Sequence, residues 1–297
     1  MAKFVIIGGA PKTGTSSVFK YLSDHRDINP SKVKETGFFL SDDATLSIES
    51  YKEQFTLPDA DKIFLEASTA YLGSSKNVPE KIRETLGNNV NIIFILRDPI
   101  ERLYSYFWYR KSISKDFKYD KFYDFISDSL DFENGKYIPV NGSHIHDLSV
   151  MSRGKYSNFI SRYIDLFGDK NIFLLSYEDL LKSPSSFVEN ICHLIGLDDS
   201  YYKNYDFRRF NETMSFHSRY LHYFADAINS KFEVFLRRND NIKSMLKTVY
   251  KKLNLKKVGY PEVSEADREL LTAYYDASIL DLAEYVDKGS FPWAFDR

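Results

Sequence analysis

What most limits this chain is an alternation of short apolar runs, each ending in polar and reactive residues, with amphipathic stretches. The runs are "KFVIIGG", "KIFLEAS", "NIIFILR" and "NIFLLSY", and the amphipathic stretches are "SSVFKYLSDH", "VPEKIRETLG" and "YSNFISRYIDLFG". Apolar runs of this length read as buried strands, and apolar positions three and four apart read as helices packed on them. Strands alternating with helices build βαβ units, so the expected fold class is α/β, three layers with a central, mostly parallel sheet flanked by helices. Ligands of such sheets gather at the carboxyl ends of the strands. Those ends carry the loop from Gly8, then Glu66, then Arg97, then Tyr177 and Glu178.

The first of these ends, "GGAPKTGTSS", is built to hold an anion. Gly8, Gly9 and Gly14 let the backbone come close to a ligand with its N–H groups forward. A helix beginning near Ser16 adds its N-terminal partial positive charge. Lys12 supplies a full charge, and Thr13, Thr15, Ser16 and Ser17 supply hydroxyl donors, so the loop should bind a phosphate. It is not a Walker A loop, because the lysine stands two positions before Gly14 and Thr15 follows that glycine directly. The hydroxyl that would hold Mg²⁺ beside the lysine is displaced, which disfavours a nucleoside-triphosphatase.

A second anion element lies in "IIFILRDPIERLYSYFWYR". Asp98 suits an N-cap, Pro99 the first helical position, and Glu101 the far side of a capping box. Arg97 ends the strand, and Ser105 lies two turns into the helix on the face of Asp98. An arginine and a hydroxyl converging there form a second anion-binding pair.

Composition excludes several alternatives. A formal net charge of −2 argues against a general nucleic-acid binder or a polybasic membrane anchor. No stretch approaches the roughly 20 apolar residues of a membrane span, and the first apolar run is shorter than a signal-peptide core and leads into the anion loop. The expectation is a soluble, cytoplasmic chain. Cys192 is the single cysteine, which rules out an intrachain disulfide and marks a buried packing residue. With 22 Tyr and 24 Phe the chain can fill a core and still line a groove for a polyhydroxylated ligand.

Together, "PKTGTSS" and "ILRDPIERLYSYF" resemble the two nucleotide-binding elements of the sulfotransferases that use 3′-phosphoadenosine 5′-phosphosulfate (PAPS). The resemblance extends through "SKVKETGFF", "FLEASTAYL", "VPEKI" and "SYEDLLKSP", over roughly residues 3–197, and is nearest in pattern to the carbohydrate sulfotransferases related to the heparan-sulfate enzymes. It implies a P-loop-like form of the α/β fold and a cofactor, PAPS, whose product is 3′-phosphoadenosine 5′-phosphate (PAP), with no metal required. It implies that Lys12, Thr13, Gly14, Thr15, Ser16 and Ser17 hold the 5′ end, and that Arg97 and Ser105 hold the 3′-phosphate. Tyr177 matches a position near the adenine. The pattern K-E-x-x-F-F places Glu35 of "KETGFF" as general base, a role worth on the order of 10² to 10⁴ in rate, with Lys12 stabilising the leaving oxygen. Lys34 and Glu66 are the candidate acceptor contacts, Glu66 alternatively anchoring the "ASTAY" turn. The acceptor implied is a hydroxyl of a glycan or glycosylated metabolite.

The chain also departs from that pattern. Gly37 and Ala67 stand where the heparan-sulfate branch carries a histidine and a lysine, so acceptor contacts must differ. The cytosolic branch's C-terminal "RKG" clasp is absent, and Arg219 in "FRRFNETMSFHSRYLH" is the candidate replacement. Residues 1–197 read as the nucleotide-binding part of a single domain and 198–297 as a mainly helical cap, which permits a dimer without requiring one. The stretch from Asn134 to Arg153 reads as a long loop near the site, and its His144 and His146 lack a third ligand of zinc spacing. Two other readings stay open: a P-loop kinase using Mg-ATP on a small acceptor, and a non-catalytic nucleotide-binding relative.

Overall fold

The computed structural model describes residues 3–42, 46–58, 61–74, 76–114, 116–139, 142–208, 215–216, 255–256 and 260–295. Five parallel strands form one sheet in the order β2-β3-β1-β4-β5: β1 (Phe4–Gly9), β2 (Ile28–Pro30), β3 (Ile63–Ala67), β4 (Val90–Leu96) and β5 (Ile172–Ser176). The four expected strands are present. The fifth, β2, is only three residues long and ends in a proline, which an edge strand tolerates because one side needs no partner.

Alternation along the strands sorts two cores. Val5 and Ile7 of β1, Leu65 and Ala67 of β3, and Ile93 and Ile95 of β4 face one side. They meet Val18, Tyr21 and Leu22 of α1 (Thr15–Ser23) and Val188, Ile191 and Cys192 of the helix Pro184–Ile195. Phe4, Ile6, Phe64, Ile92 and Phe94 face the other side. There they meet Tyr51 of α2 (Ile48–Lys52), Ile82 of α3 (Val78–Leu86), Leu103 and Phe107 of α4 (Pro99–Ile113), and Ile160 of the helix Ser157–Phe167. The last described helix, Glu265–Leu282, sends Leu271, Tyr275 and Ile279 into this second core. The helices after β1 and β4 thus cover opposite faces, which opens a crevice at the carboxyl edge between those two strands.

Three expectations need correction. Residues 134–153 are not one long loop, because Gly142–Ser152 forms a helix whose Leu148, Val150 and Met151 are buried. In the C-terminal part, Ser215–Phe216 and Leu255–Lys256 pair as two short antiparallel strands within what reads as helix and basic surface. At α4 the Asp98 carboxylate does cap the helix, accepting from the amides of Ile100 at 2.8 Å and Glu101 at 3.0 Å. The Glu101 carboxylate is instead engaged by Arg268 at 2.7 Å and lies 3.8 Å from Arg97.

No helix among the described residues is long and apolar enough to cross a membrane. Because Ile93 is wholly buried in the strand between β1 and β5, Ile93→Ala should lower unfolding free energy by about 2–5 kcal/mol in a urea titration; a loss under about 1 kcal/mol would contradict this packing.

Candidate active site

The loop after β1 closes on itself before it can meet a ligand. Thr13 is fully buried and its hydroxyl donates to the Ala10 carbonyl at 2.7 Å. This corrects the expectation that the Thr13 side chain is a ligand donor, since that hydroxyl serves the loop's own turn. Gly14 takes φ +76° as the N-cap of α1, which starts at Thr15 rather than Ser16. A Cβ on Gly14 would stand 2.7 Å from Leu180 and 3.3 Å from the Tyr177 ring. Only glycine permits both the backbone angle and that contact. Thr15 and Ser17 are nearly buried, Ser16 and Lys12 are partly exposed, and all lie at the positive end of α1.

Tyr177 links this loop to the second element. Its ring, packed against Gly14, carries the Arg97 guanidinium 4.9 Å from its centroid. The Arg97 carbonyl accepts from the Tyr156 hydroxyl at 2.9 Å, fixing the chain where β4 passes into α4. Four residues beyond Ser105, on the same stripe of α4, Tyr109 holds the Lys12 ammonium 4.0 Å over its ring. Burial, and then the charge of Arg97, pushes the Lys12 amine down to about 8 from an ordinary 10.5. Lys12, Arg97 and Tyr177 therefore gather at one end of the sheet, with Ser105 one turn before Tyr109 on α4.

The "KETGFF" loop meets the same edge. Glu35 is half exposed, accepts from the Thr69 amide at 2.8 Å, and is paired with Lys34. The Thr69 carbonyl in turn lies 3.4 Å from where a Gly9 Cβ would stand, so one residue separates the Glu35 carboxylate from the β1 loop. Lys34 thus has Glu35 as its immediate partner rather than open solvent.

Glu66 behaves differently from its first reading. Strand parity puts it on the Phe64 face, where it is 0% exposed. Four hydroxyls donate to it: Thr36, Ser68 at 2.6 Å, Tyr71 at 2.8 Å and Tyr51 at 2.5 Å. Burial raises its carboxyl above the usual range against the pull of those bonds. An acceptor contact through Glu66 is corrected accordingly, because no face of the carboxylate is left open; it anchors the turn after β3.

Arg219 lies outside the described residues. His144 and His146 sit on the helix Gly142–Ser152, where His144 meets the Asp116 carbonyl at 3.0 Å and His146 is 3.5 Å from Arg153. Sequence reasoning missed Tyr109, Tyr156 and Arg102. Arg102 is fully buried and donates to the Val150 carbonyl at 2.8 Å, tying α4 to the segment that delivers Tyr156. Of these, Tyr109 was within reach of the sequence, since it shares the helical stripe of Ser105.

A family model described as a sulfotransferase domain matches residues 3–244, and the chain belongs to that family. The human bifunctional heparan sulfate N-deacetylase/N-sulfotransferase 3 is 23% identical over 298 residues, covering 97% of this chain and 30% of that protein. The mouse bifunctional heparan sulfate N-deacetylase/N-sulfotransferase 4 is 25% identical over 213 residues, covering 68% of this chain and 23% of that protein. The chain therefore spans less than a third of the length of these relatives. Among solved structures, a sulfotransferase from Alicyclobacillus acidocaldarius shares the fold, with a TM-score of 0.58 at 19% identity over 96% of this chain and 95% of that one.

The depressed Lys12 amine generates a prediction for the ligand-free protein. Between pH 8 and 10.5 the unfolded chain keeps the Lys12 proton that the folded chain releases, so folding stability rises with pH in that window. Denaturant titrations at pH 7.5 and 9.5 should show wild type gaining stability relative to Lys12→Met as pH rises. An unchanged difference would place Lys12 in solvent.

Proposed function

We propose that this protein transfers a sulfuryl group from PAPS to a hydroxyl of a carbohydrate acceptor and releases PAP. The observation that carries the reading is the Gly14–Tyr177–Arg97 stack, which sets two anion-binding groups side by side at the sheet edge. The donor chemistry fits a doubly phosphorylated nucleotide. Lys12, the hydroxyls of Thr15, Ser16 and Ser17 and the α1 N-terminus suit the 5′ end, while Arg97 and Ser105 suit the 3′-phosphate. Tyr177 offers a flat face between them. Asp98, the first carboxylate after β4, is engaged as a helix cap, which weakens the Mg-ATP kinase reading.

PAPS supplies the sulfuryl group and a phosphate leaving group. Lys12 and the loop amides stabilise the charge that grows on the 5′-phosphate oxygen, an effect largest when the donors are already in place. Glu35 accepts the acceptor's hydroxyl proton as the new oxygen–sulfur bond forms and the bond from sulfur to the 5′-phosphate oxygen breaks. Lys34 pairs with one oxygen of that carboxylate, and the Thr69 amide donates to the other. The heparan sulfate names of the relatives support a carbohydrate acceptor. The exchange of histidine and lysine for Gly37 and Ala67 favours a glycan other than theirs. A single, buried cysteine suits a reducing, cytoplasmic setting.

Incubation with PAPS and a panel of carbohydrate acceptors, read by mass spectrometry, should yield sulfated product and PAP. Thermal shifts separate the kinase reading: PAP at about 100 times its Kd stabilises a folded state by about 2.7 kcal/mol, and Mg-ATP should give far less. Stabilisation by Mg-ATP alone, with no PAP release, would overturn the proposal.

A further inference from the structure

The hydroxyls around Glu66 face two ways. Thr36 Oγ1, Ser68 Oγ and the Tyr71 hydroxyl all donate to a single carboxylate oxygen, Oε1. Each of the three also accepts from a backbone amide: Ser68 from Gly37 at 3.0 Å, Thr36 from Phe38 at 3.2 Å, and Tyr71 from Phe39 at 3.2 Å. Those are three consecutive amides, at the entrance to the short helical turn Phe38–Leu40, which begins three residues after Glu35. An acceptor-only group at the centre forces every hydroxyl proton inward and leaves its lone pair outward for an N–H. Tyr51 differs, since its hydroxyl donates to the other oxygen, Oε2, and its contacts with the loop are made by its ring.

We infer that Glu66 is a positioning residue for Glu35: through Thr36, Ser68 and Tyr71 its Oε1 pins the amides of residues 37–39 and so fixes where the Glu35 carboxylate stands. The inference rests on the general-base reading of Glu35. It explains why a carboxylate sits under an aromatic layer of Phe39, Tyr51 and Phe64, where an apolar side chain would pack without any desolvation penalty. A base held loosely loses rate through misplacement rather than through altered basicity.

The test is a set of double-mutant cycles with Glu35→Gln, measuring kcat, nucleotide KM, PAP affinity and thermal midpoint. Thr36→Val and Tyr71→Phe should each lower kcat about three- to tenfold with PAP affinity within about twofold. Thr36→Ser should restore turnover. On the Glu35→Gln background the same changes should have no further effect on residual turnover. Tyr51→Phe, which removes a bond to Glu66 but no relay to the loop, should lower the midpoint and leave kcat near wild type. Equal losses on both backgrounds, or a Tyr51→Phe loss matching Tyr71→Phe, would overturn the inference and leave the base intact. Full turnover by Glu35→Gln would instead remove the base reading, and this inference with it.

Discussion

The carboxyl end of β1 is crowded on both sides, and the site depends on that crowding. A Cβ on Gly8 would stand 2.6 Å from the Phe94 ring, which cannot retreat because Tyr163 packs edge-on against it at 4.8 Å. A Cβ on Gly9 would stand 2.8 Å from Leu72. The same stretch carries the stitching, for the Leu72 amide donates to the Gly8 carbonyl at 2.9 Å and the Ala10 amide donates to the Ile95 carbonyl at 2.9 Å. The turn after β3, the loop after β1 and the end of β4 are therefore fastened within a few ångströms of one another. Residues distant in sequence, Glu35 through Thr69 on one side and Arg97 through Tyr177 on the other, meet because their carriers are tied to this point.

The electrostatics divide along the same line. Around the β1 loop burial first, and then the nearby charge of Arg97, depresses the Lys12 amine, an arrangement that a bound polyanion would relieve. Around Glu35 and Glu66 the charges are opposite and ranked by depth. Glu35 is exposed and paired with a lysine; Glu66 is buried, and the four groups that donate to it are all hydroxyls. A carboxylate at the surface can take a proton from a substrate, whereas one enclosed by four donors can only organise its neighbours. Under the proposed reaction the first would serve as the reachable base and the second as part of the scaffold that holds it.

Much of this was legible in the sequence where the chemistry is local. Asp98-Pro99 announces the start of α4, and glycines between a strand and a helix announce the tight loop after β1. What was not legible depended on distant partners. Parity assigns Glu66 to the Phe64 face, yet its enclosure comes from Thr36 of the loop after Glu35, Tyr51 of the helix Ile48–Lys52 and Tyr71 of the turn after β3. The Thr13 hydroxyl looks like a ligand donor until the turn places the Ala10 carbonyl beside it. β2 escaped notice because three residues ending in proline carry no periodic signal. The helix Gly142–Ser152 escaped because turn residues precede it and His144, His146 and Asp147 interrupt its apolar spacing.

The central claim is that one nucleotide bridges the β1 loop and the Arg97–Ser105 element through two separate phosphates. Calorimetric titration of PAP and of adenosine 5′-phosphate against wild type and Arg97→Ala tests it most directly. PAP should bind wild type at least about tenfold more tightly than the nucleotide lacking the 3′-phosphate, a difference of about 1.4 kcal/mol, and Arg97→Ala should erase that preference while leaving adenosine 5′-phosphate binding nearly unchanged. Equal affinities for the two nucleotides in wild type, or a preference that survives the loss of Arg97, would contradict it.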